Sequence, residues 1–194
     1  TVIGAQHGEM APLADAFEAR GTYEASAGLR VFVLDHEPSA PRPDEAVLLL
    51  HGFPSSSLDF HRVLPMLGER RVLAFDAPGF GLSDKPWPHT YSLFEAADLA
   101  AGLVQARGIR RLHVVAHDMG TSVLCELLAR AERGLLGFEI ASLAFLNGSV
   151  FVEMAKLTPS QRLLRTPLAA AFTRDLATLA ATLDRPSEVL ARWD

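Results

Sequence analysis

The chain has 194 residues, of which 49% are hydrophobic and 21% are charged, and its formal net charge is −5. This composition is sufficient for one domain of ordinary size with a buried core, and it excludes intrinsic disorder. Both signs of charge are interspersed, and the absence of a lysine or arginine block argues against a nucleic-acid partner. The single cysteine excludes an internal disulfide framework.

Neither a membrane segment nor a targeting segment is recognisable in the sequence. No apolar run near the start approaches the roughly 20 residues that a membrane-spanning helix requires, and no basic segment precedes an apolar stretch. We therefore expect a soluble, cytoplasmic protein without a membrane partner. The sequence leaves the oligomeric state open.

The first elements predicted along the chain are a helix, a hairpin and a buried strand. Residues 11–20 carry a short amphipathic helical pattern. Residues 21–26 and 29–36 alternate in polarity on either side of the dipeptide at 27–28, which is typical of a two-stranded hairpin. Residues 46–51, AVLLLH, are almost continuously apolar, as expected of a strand covered on both faces.

A helix, a strand and a second helix are predicted next. Residues 58–68 resemble a helix, and residues 71–76, RVLAFD, resemble another buried strand. Ser92 and Glu95 have the spacing of a capping box. The apolar stripe that follows them indicates a helix that ends at Gly108.

The remaining pattern predicts an α/β fold with a separate helical segment at its end. A strand at 111–117, a helix at 119–132 and a strand at 140–147 continue the alternation. Such alternation implies right-handed crossovers and a mostly parallel sheet. Because no strand pattern follows, we divide the chain into a core of residues 1–150 and a helical cap that begins in residues 151–194.

Chemically active side chains follow three of the predicted strands. The stretches are HGFP at 51–54, DAPGFGLSD at 76–84 and AHDMG at 116–120. In an open α/β sheet, functional groups gather at the carboxyl ends of the strands. We therefore expect these three stretches to lie together.

The stretch AHDMG has the form small-x-nucleophile-x-small, with Asp118 at its centre. A sharp turn from strand to helix lifts the central side chain over the sheet, and its neighbours must be small because strand and helix approach closely. Ala116 and Gly120 meet this requirement. A carboxylate that only caps the helix is the alternative interpretation, but it would not account for the other two stretches.

With the motifs HGFPSSS, DAPGFGLSDKP and HDMG at these spacings, the chain resembles the α/β-hydrolase family. Within that family it is similar to the branch with an aspartate nucleophile, which includes epoxide hydrolases, haloalkane dehalogenases and mesoderm-specific transcript proteins. The resemblance implies the α/β-hydrolase fold, a mostly parallel sheet flanked by helices with a helical cap. It also implies that Asp118 attacks carbon and forms an alkyl-enzyme ester, which water then hydrolyses.

The resemblance further implies roles for residues around the nucleophile. It assigns the oxyanion hole to the backbone N–H groups of Phe53 and Met119. A helix that starts at Met119 presents free N–H groups and a positive dipole end there, which favours an ionised Asp118. The residues that we expect to line the substrate pocket are His51, Gly52, Pro54, His117 and Asn147.

The histidines of the sequence do not complete a metal site. His51 and His117 each precede a turn by one residue, and no carboxylate or cysteine at a ligand spacing accompanies them. We interpret both as structural and predict no metal and no cofactor. Asp76 and Asp84 are interpreted as residues that fix the glycine-rich loop, and His113 as part of the core or of the sheet surface.

The base histidine and the second acid of the aspartate branch are not found. The family places them after the last two strands of the sheet, and these C-terminal strands are apparently missing because residue 194 falls in the predicted cap. Some dehalogenases carry the acid after the strand that follows the nucleophile helix, but that position here is Asn147. Either the remaining groups lie beyond residue 194 or the chain is not a complete enzyme, and we expect no turnover by these residues alone.

The residues near the nucleophile favour an epoxide over an alkyl halide. Haloalkane dehalogenases hold the halide with an Asn and a Trp at the positions of Phe53 and Met119, whereas an aromatic third residue in HGFP is similar to epoxide hydrolases. The cap tyrosine of epoxide hydrolases is missing, since Tyr23 and Tyr91 are the only tyrosines. We predict a hydrolase of small apolar substrates most like an epoxide hydrolase. The alternatives are a haloalkane dehalogenase-like hydrolase and a non-catalytic binding protein or incomplete fragment of the same fold.

Overall fold

The computed structural model describes residues 7–37 and 42–148, together with Arg162. Residues Ala16–Val150 form one compact unit, which is built on a six-stranded sheet. The cap predicted in 151–194 lies outside the described residues except for Arg162, so the division into core and cap stays a prediction. None of the described helices is long and apolar enough to cross a membrane.

Residues 7–37 and 42–148 contain six strands and three α-helices. In chain order they are α1 (His7–Glu18), β1 (Thr22–Ser26), β2 (Leu29–His36), β3 (Glu45–Leu50), β4 (Val72–Phe75), α2 (Leu93–Ala106), β5 (Arg111–His117), α3 (Met119–Glu132) and β6 (Glu139–Leu146). Two short 3₁₀-helices, Ser57–Arg62 and Leu64–Leu67, connect β3 to β4.

The sheet has the strand order β1-β2-β4-β3-β5-β6. The pairs β1–β2 and β2–β4 are antiparallel, whereas β4–β3, β3–β5 and β5–β6 are parallel. The carboxyl ends of β3, β4, β5 and β6 therefore lie along one edge of the sheet. The mostly parallel sheet flanked by helices confirms the predicted fold class.

The β1–β2 hairpin closes through a two-residue turn. Ser26 pairs with Leu29, so only Ala27 and Gly28 lie between the strands. Both have positive φ angles, of 49° and 81°. Two consecutive positive φ angles define the type I′ turn, whose twist matches that of the strands that it joins.

Strand β3 is buried on both faces, which explains its continuous apolar sequence. Ala46, Leu48 and Leu50 belong to the hydrophobic cluster that α2 and α3 cover. Val47 and Leu49 belong to the cluster on the opposite face, which includes residues of both 3₁₀-helices. Successive side chains of a strand point to opposite faces, so a strand between two layers requires apolar residues at every position.

The helix predicted at 58–68 forms as two short 3₁₀-helices. The Val63 N–H donates to the Phe60 carbonyl at 2.8 Å, and the Met66 N–H donates to the Val63 carbonyl at 2.9 Å. These bonds span three residues, as in a 3₁₀-helix. Pro65 lies at the start of the second 3₁₀-helix, and its missing N–H prevents one continuous α-helix.

Ser92 caps the N-terminus of α2, but the predicted capping box with Glu95 does not form. The Ser92 hydroxyl accepts a hydrogen bond from the Phe94 N–H at 3.2 Å. Glu95, which a complete box would direct back to the Ser92 N–H, instead contacts His89, with 2.8 Å between Oε2 and Nε2. At the other end, Gly108 follows the helix with a φ of 64°, a conformation that favours glycine.

A cluster of paired charges connects β2, β4 and the end of α2. Arg71 donates two hydrogen bonds to the Asp35 carboxylate, at 3.1 and 3.0 Å, and Arg107 donates a third at 2.5 Å. Arg107 also pairs with Glu24. Burial disfavours the charged form of Asp35, but the hydrogen bonds from Arg71 and Arg107 outweigh it and lower the pKa of this carboxyl group.

We expect the Asp35 carboxylate to make stability depend on pH. A carboxyl group whose pKa is lowered by folding stabilises the fold above its unfolded pKa of about 4, and this contribution is lost as the pH falls through the folded pKa. Asp35→Asn should lower the free energy of unfolding at pH 7 by about 2 kcal/mol and weaken its dependence on pH below 4. Urea unfolding at pH 7 and pH 3 measures both effects. An identical pH dependence in the two proteins would contradict this assignment.

Candidate active site

Asp118 lies at the sharp turn between β5 and α3. It separates His117, the last residue of β5, from Met119, the first residue of α3. Its φ and ψ angles are 48° and −115°, a region that residues with a side chain rarely adopt and that costs roughly 1–3 kcal/mol. This strained turn lifts the carboxylate out at the carboxyl edge of the sheet.

The small residues beside Asp118 allow α3 to approach the end of β3. A Cβ on Gly120 would lie 2.4 Å from the Leu50 carbonyl oxygen and 2.8 Å from the His51 carbonyl oxygen. Both neighbours are backbone atoms, which cannot move aside independently of the strand. Ala116 is completely buried. The tight turn therefore requires the small residues that the sequence provides.

The loop after β3 packs directly against the Asp118 turn. A Cβ on Gly52 would lie 2.6 Å from the Asp118 Cβ and 3.0 Å from His117 Nδ1. The next residue of the loop, Phe53, donates its backbone N–H to Asp118 Oδ1 at 2.9 Å. The structure thus brings the HGFP and HDMG motifs into contact.

The backbone of Asp118 is held by hydrogen bonds on both sides. Its N–H donates to the Leu146 carbonyl at 2.9 Å, at the end of β6. Its carbonyl accepts from the Thr121 N–H at 3.0 Å and from the Thr121 hydroxyl at 2.6 Å. These bonds stabilise the strained conformation. Thr121, fully buried, is a residue that the sequence analysis missed, although it directly follows the HDMG motif.

The position of Met119 leaves its backbone N–H without a partner within α3. As the first residue of α3, it has no intrahelical acceptor for its N–H group. The positive end of the α3 dipole also lies there. These properties are compatible with the predicted oxyanion hole of Phe53 and Met119, and the assignment of Met119 stays a prediction.

His51 is a buried residue whose two ring nitrogens both contact backbone groups. Its Nε2 accepts a hydrogen bond from the Ala77 N–H at 3.1 Å, so the proton is on Nδ1, which donates to the Gly52 carbonyl at 2.9 Å. The side chain therefore links the loop after β3 to the loop after β4. This geometry agrees with a structural role and does not leave His51 free to act as a base.

The other residues predicted to line the pocket lie at the same edge of the sheet. Pro54 is exposed in the loop after β3, and His117 is half-buried at the end of β5. Asn147 is exposed directly after β6, with a φ of 51°. Whether these side chains contact a substrate stays a prediction.

Asp76 fixes the loops that surround the site, as predicted. Its carboxylate is buried, and its Oδ1 accepts hydrogen bonds from the Ser57 N–H at 2.7 Å and the Ser57 hydroxyl at 2.6 Å. Its Oδ2 accepts from the Leu82 N–H at 2.8 Å. Asp76 thus joins the loops after β3 and β4. Ser57 was not predicted as a site residue, and its only signal in the sequence is the serine run that follows HGFP.

Asp84 fixes the far end of the glycine-rich loop. Its carboxylate accepts a hydrogen bond from the Arg30 N–H at 2.8 Å, and its own N–H donates to the Arg30 carbonyl at 2.9 Å. These bonds attach the loop to β2, which confirms the interpretation of Asp84 as a loop-fixing residue. Among the side chains of residues 13–37 and 42–148, no group of three or more from His, Cys, Asp or Glu could hold a metal ion.

Known proteins match most of the chain. The chain is 48% identical over 136 residues to the putative hydrolase LipZ of Mycobacterium tuberculosis, an alignment that covers 70% of the chain and 47% of that protein. It is 36% identical over 202 residues to the human mesoderm-specific transcript homolog protein, which covers 96% of the chain and 60% of that protein. The chain therefore spans about half of the length of these curated relatives.

A solved structure shows the same fold at low sequence identity. Haloalkane dehalogenase DbeA of Bradyrhizobium elkani superimposes with a TM-score of 0.64 at 24% identity, over 88% of this chain and 62% of that one. At this identity the likeness concerns the fold alone. A family model described as alpha/beta hydrolase fold matches residues 45–188. Together with the sheet topology and the turn at Asp118, this match shows that the chain belongs to the alpha/beta hydrolase fold family.

Proposed function

We propose that Asp118 is the nucleophile of a hydrolase that forms a covalent ester with a small apolar substrate, most like an epoxide hydrolase. The observation that carries the proposal is the placement of the carboxylate. It lies at a strained turn, and its Oδ1 accepts the Phe53 N–H. In the described part of the chain no donor contacts Oδ2, so Oδ2 is the oxygen available to attack carbon.

The two oxygens of Asp118 would have different roles. Oδ2 attacks an epoxide carbon, the carbon–oxygen bond of the ring breaks, and the alkoxide oxygen that is released takes a proton from water. Oδ1 becomes the carbonyl oxygen of the new ester and stays beside the Phe53 N–H. When water attacks this ester, negative charge develops on Oδ1, where backbone donors from Phe53 and Met119 would stabilise it. One such donor is worth roughly 10²–10³ in rate.

The surroundings of Asp118 favour an apolar substrate. The Phe53 side chain is 51% exposed and contacts Phe80 edge-on, with 6.1 Å between the ring centroids. Exposed aromatic surface beside a carboxylate suits a small apolar electrophile. Phe53 and Met119 lack the polar side chains that would hold a departing halide, which places a dehalogenase-like activity second. A non-catalytic binding protein is the remaining alternative.

The proposal is tested by trapping the ester. We expect 1,2-epoxyhexane to increase the mass of the chain by the mass of one whole epoxide, and peptide mapping to place this increase on Asp118. With 1-bromohexane the increase would instead be one hexyl group, because bromide leaves. Faster labelling by the epoxide supports the epoxide hydrolase, and faster labelling by the bromide supports the dehalogenase.

Two aspartate variants serve as controls for this labelling. Asp118→Asn should lose the adduct, because a neutral amide is a far weaker nucleophile. Asp44→Asn should keep it, because Asp44 precedes β3 at the opposite edge of the sheet and pairs with Arg110. A folded wild-type chain that gains no mass with either reagent would refute the nucleophile and leave the non-catalytic alternative.

A further inference from the structure

A second array of chemically active side chains crosses the sheet far from Asp118. His113 of β5 lies between Ser142 of β6 and Glu45 of β3. The Ser142 hydroxyl lies 2.6 Å from His113 Nδ1, and Glu45 Oε1 lies 3.1 Å from His113 Nε2. Since Glu45 is the first residue of β3, the array is at the amino end of the parallel strands. From the sequence, His113 was predicted only to be part of the core or of the sheet surface.

When the His113 imidazole is neutral, the hydrogen bonds of this array run in one direction. The bond from His113 and a salt bridge from Arg42 lower the pKa of Glu45, so this carboxylate is ionised and can only accept. His113 Nε2 must therefore carry the proton that Glu45 accepts, and Nδ1 must present its lone pair. The Ser142 hydroxyl consequently donates its proton to Nδ1. In serine nucleophiles that a histidine activates, the serine hydroxyl likewise donates to the histidine, and the histidine donates to a carboxylate that orients it.

A β-bulge directs Ser142 towards His113. Leu112 pairs with Ile140, but the next pair is His113 with Ser142, which leaves Ala141 as an extra residue. Without this register shift, Ala141 would be opposite His113 and Ser142 would point to the other face of the sheet. Bulges commonly re-aim a side chain in this way.

The surroundings leave the array open to a reagent. Ser142 is exposed, and His113 and Glu45 keep 29% and 25% of their side-chain surface exposed. Next to His113 and Glu45, and not bordered by Ser142, is a cleft of about 320 Å³ that Val47, Arg70 and Arg71 also line. This is larger than the single-water spaces that are common in protein interiors.

We propose that Ser142 is a reactive serine, activated by His113 as base and Glu45 as orienting group, that is acylated or phosphonylated by electrophiles with a good leaving group. With an alkyl fluorophosphonate, Ser142 Oγ forms the new oxygen–phosphorus bond and the phosphorus–fluorine bond breaks. The hydroxyl proton passes to His113 Nδ1, and fluoride leaves. This proposal is independent of the proposed function, because none of the three residues contacts Asp118.

The proposal is tested by labelling the Asp118→Asn chain with a biotinylated alkyl fluorophosphonate. Removing Asp118 excludes its carboxylate as a competing nucleophile. We expect one label per chain, which peptide mapping places on Ser142. His113→Gln should slow this labelling on the order of 10²-fold, the usual contribution of a general base. Glu45→Gln should slow it less, because the base remains.

Ser142→Ala serves as the control that identifies the labelled residue, and circular dichroism checks that each variant is folded. The result that supports the proposal is a label on Ser142 that is lost in Ser142→Ala and slowed in His113→Gln. If His113→Gln does not fold, the labelling rate of Glu45→Gln decides. No label on the folded chain, a label spread over several serines, or a rate unaffected in the folded base and carboxylate variants would overturn the proposal.

Discussion

Gly120→Ala is expected to destabilise the fold by at least about 3 kcal/mol, which is the upper range for overpacking a core. The added methyl group would lie 2.4 Å from the Leu50 carbonyl oxygen and 2.8 Å from the His51 carbonyl oxygen. Because α3 would have to move away from β3, the turn at Asp118 would lose its geometry as well. Chemical unfolding measures the loss of stability, and adduct formation with 1,2-epoxyhexane should fall in parallel.

Gly102→Ala is the matched control for this substitution. Gly102 lies in α2 and is exposed, and a Cβ at this position has no neighbour within 4 Å. Alanine is the better helix former, so this variant should be stabilised by roughly 0.5–1 kcal/mol. If both substitutions changed the free energy of unfolding equally, the close contact of Gly120 with the backbone of β3 would not be the reason that the turn requires glycine.

Asp76→Ala is the second substitution with a large expected effect. The Asp76 carboxylate is 1% exposed and accepts three hydrogen bonds, two from Ser57 and one from Leu82. Removing it leaves these donors buried without an acceptor, and each such group costs roughly 1–3 kcal/mol. We therefore expect a loss of about 4 kcal/mol in the free energy of unfolding, together with loosening of the loops after β3 and β4.

Two further variants show whether the buried hydrogen bonds cause this loss. Asp76→Asn should recover little, because its amide NH₂ would face a donor at either Ser57 or Leu82. Asp98→Ala removes a carboxylate of α2 that is 70% exposed and pairs with Arg130, and it should change stability by less than about 1 kcal/mol. Urea unfolding of the three variants makes the comparison. An Asp76→Ala chain as stable as Asp98→Ala would contradict the loop-fixing role.

Local patterns were sufficient to predict the strands and the second and third helices. Strand β5 and helix α3 begin and end where predicted, because the apolar run 111–117 and the helical stripe 119–132 are uninterrupted. The helix predicted at 58–68 is divided into two 3₁₀-helices because Pro65 lacks a donor that a continuous α-helix needs. Glu95 does not complete the predicted capping box because its side chain contacts His89, which the preceding loop brings close.

The candidate site was predicted in part. Asp118 was recognisable because small residues on both sides of a polar residue at the end of a strand indicate a sharp turn. Phe53 was assigned through resemblance, and the structure places its N–H 2.9 Å from the Asp118 carboxylate. The array of Ser142, His113 and Glu45 was not predicted. It depends on an extra residue in β6, and the almost uniformly apolar sequence of that strand does not show the change in alternation that the extra residue causes.

By itself, the sequence determined the fold class, the order of the elements around the site and the position of Asp118 at the end of β5. Strand, helix and turn preferences act over a few neighbouring residues, so the local sequence contains them. Only the tertiary structure decided which distant groups meet, such as Phe53 with Asp118, 65 positions apart, and Glu45 with His113, 68 positions apart. These contacts follow from strand order and register, which arise when the whole sheet packs its two faces, and no local stretch specifies them.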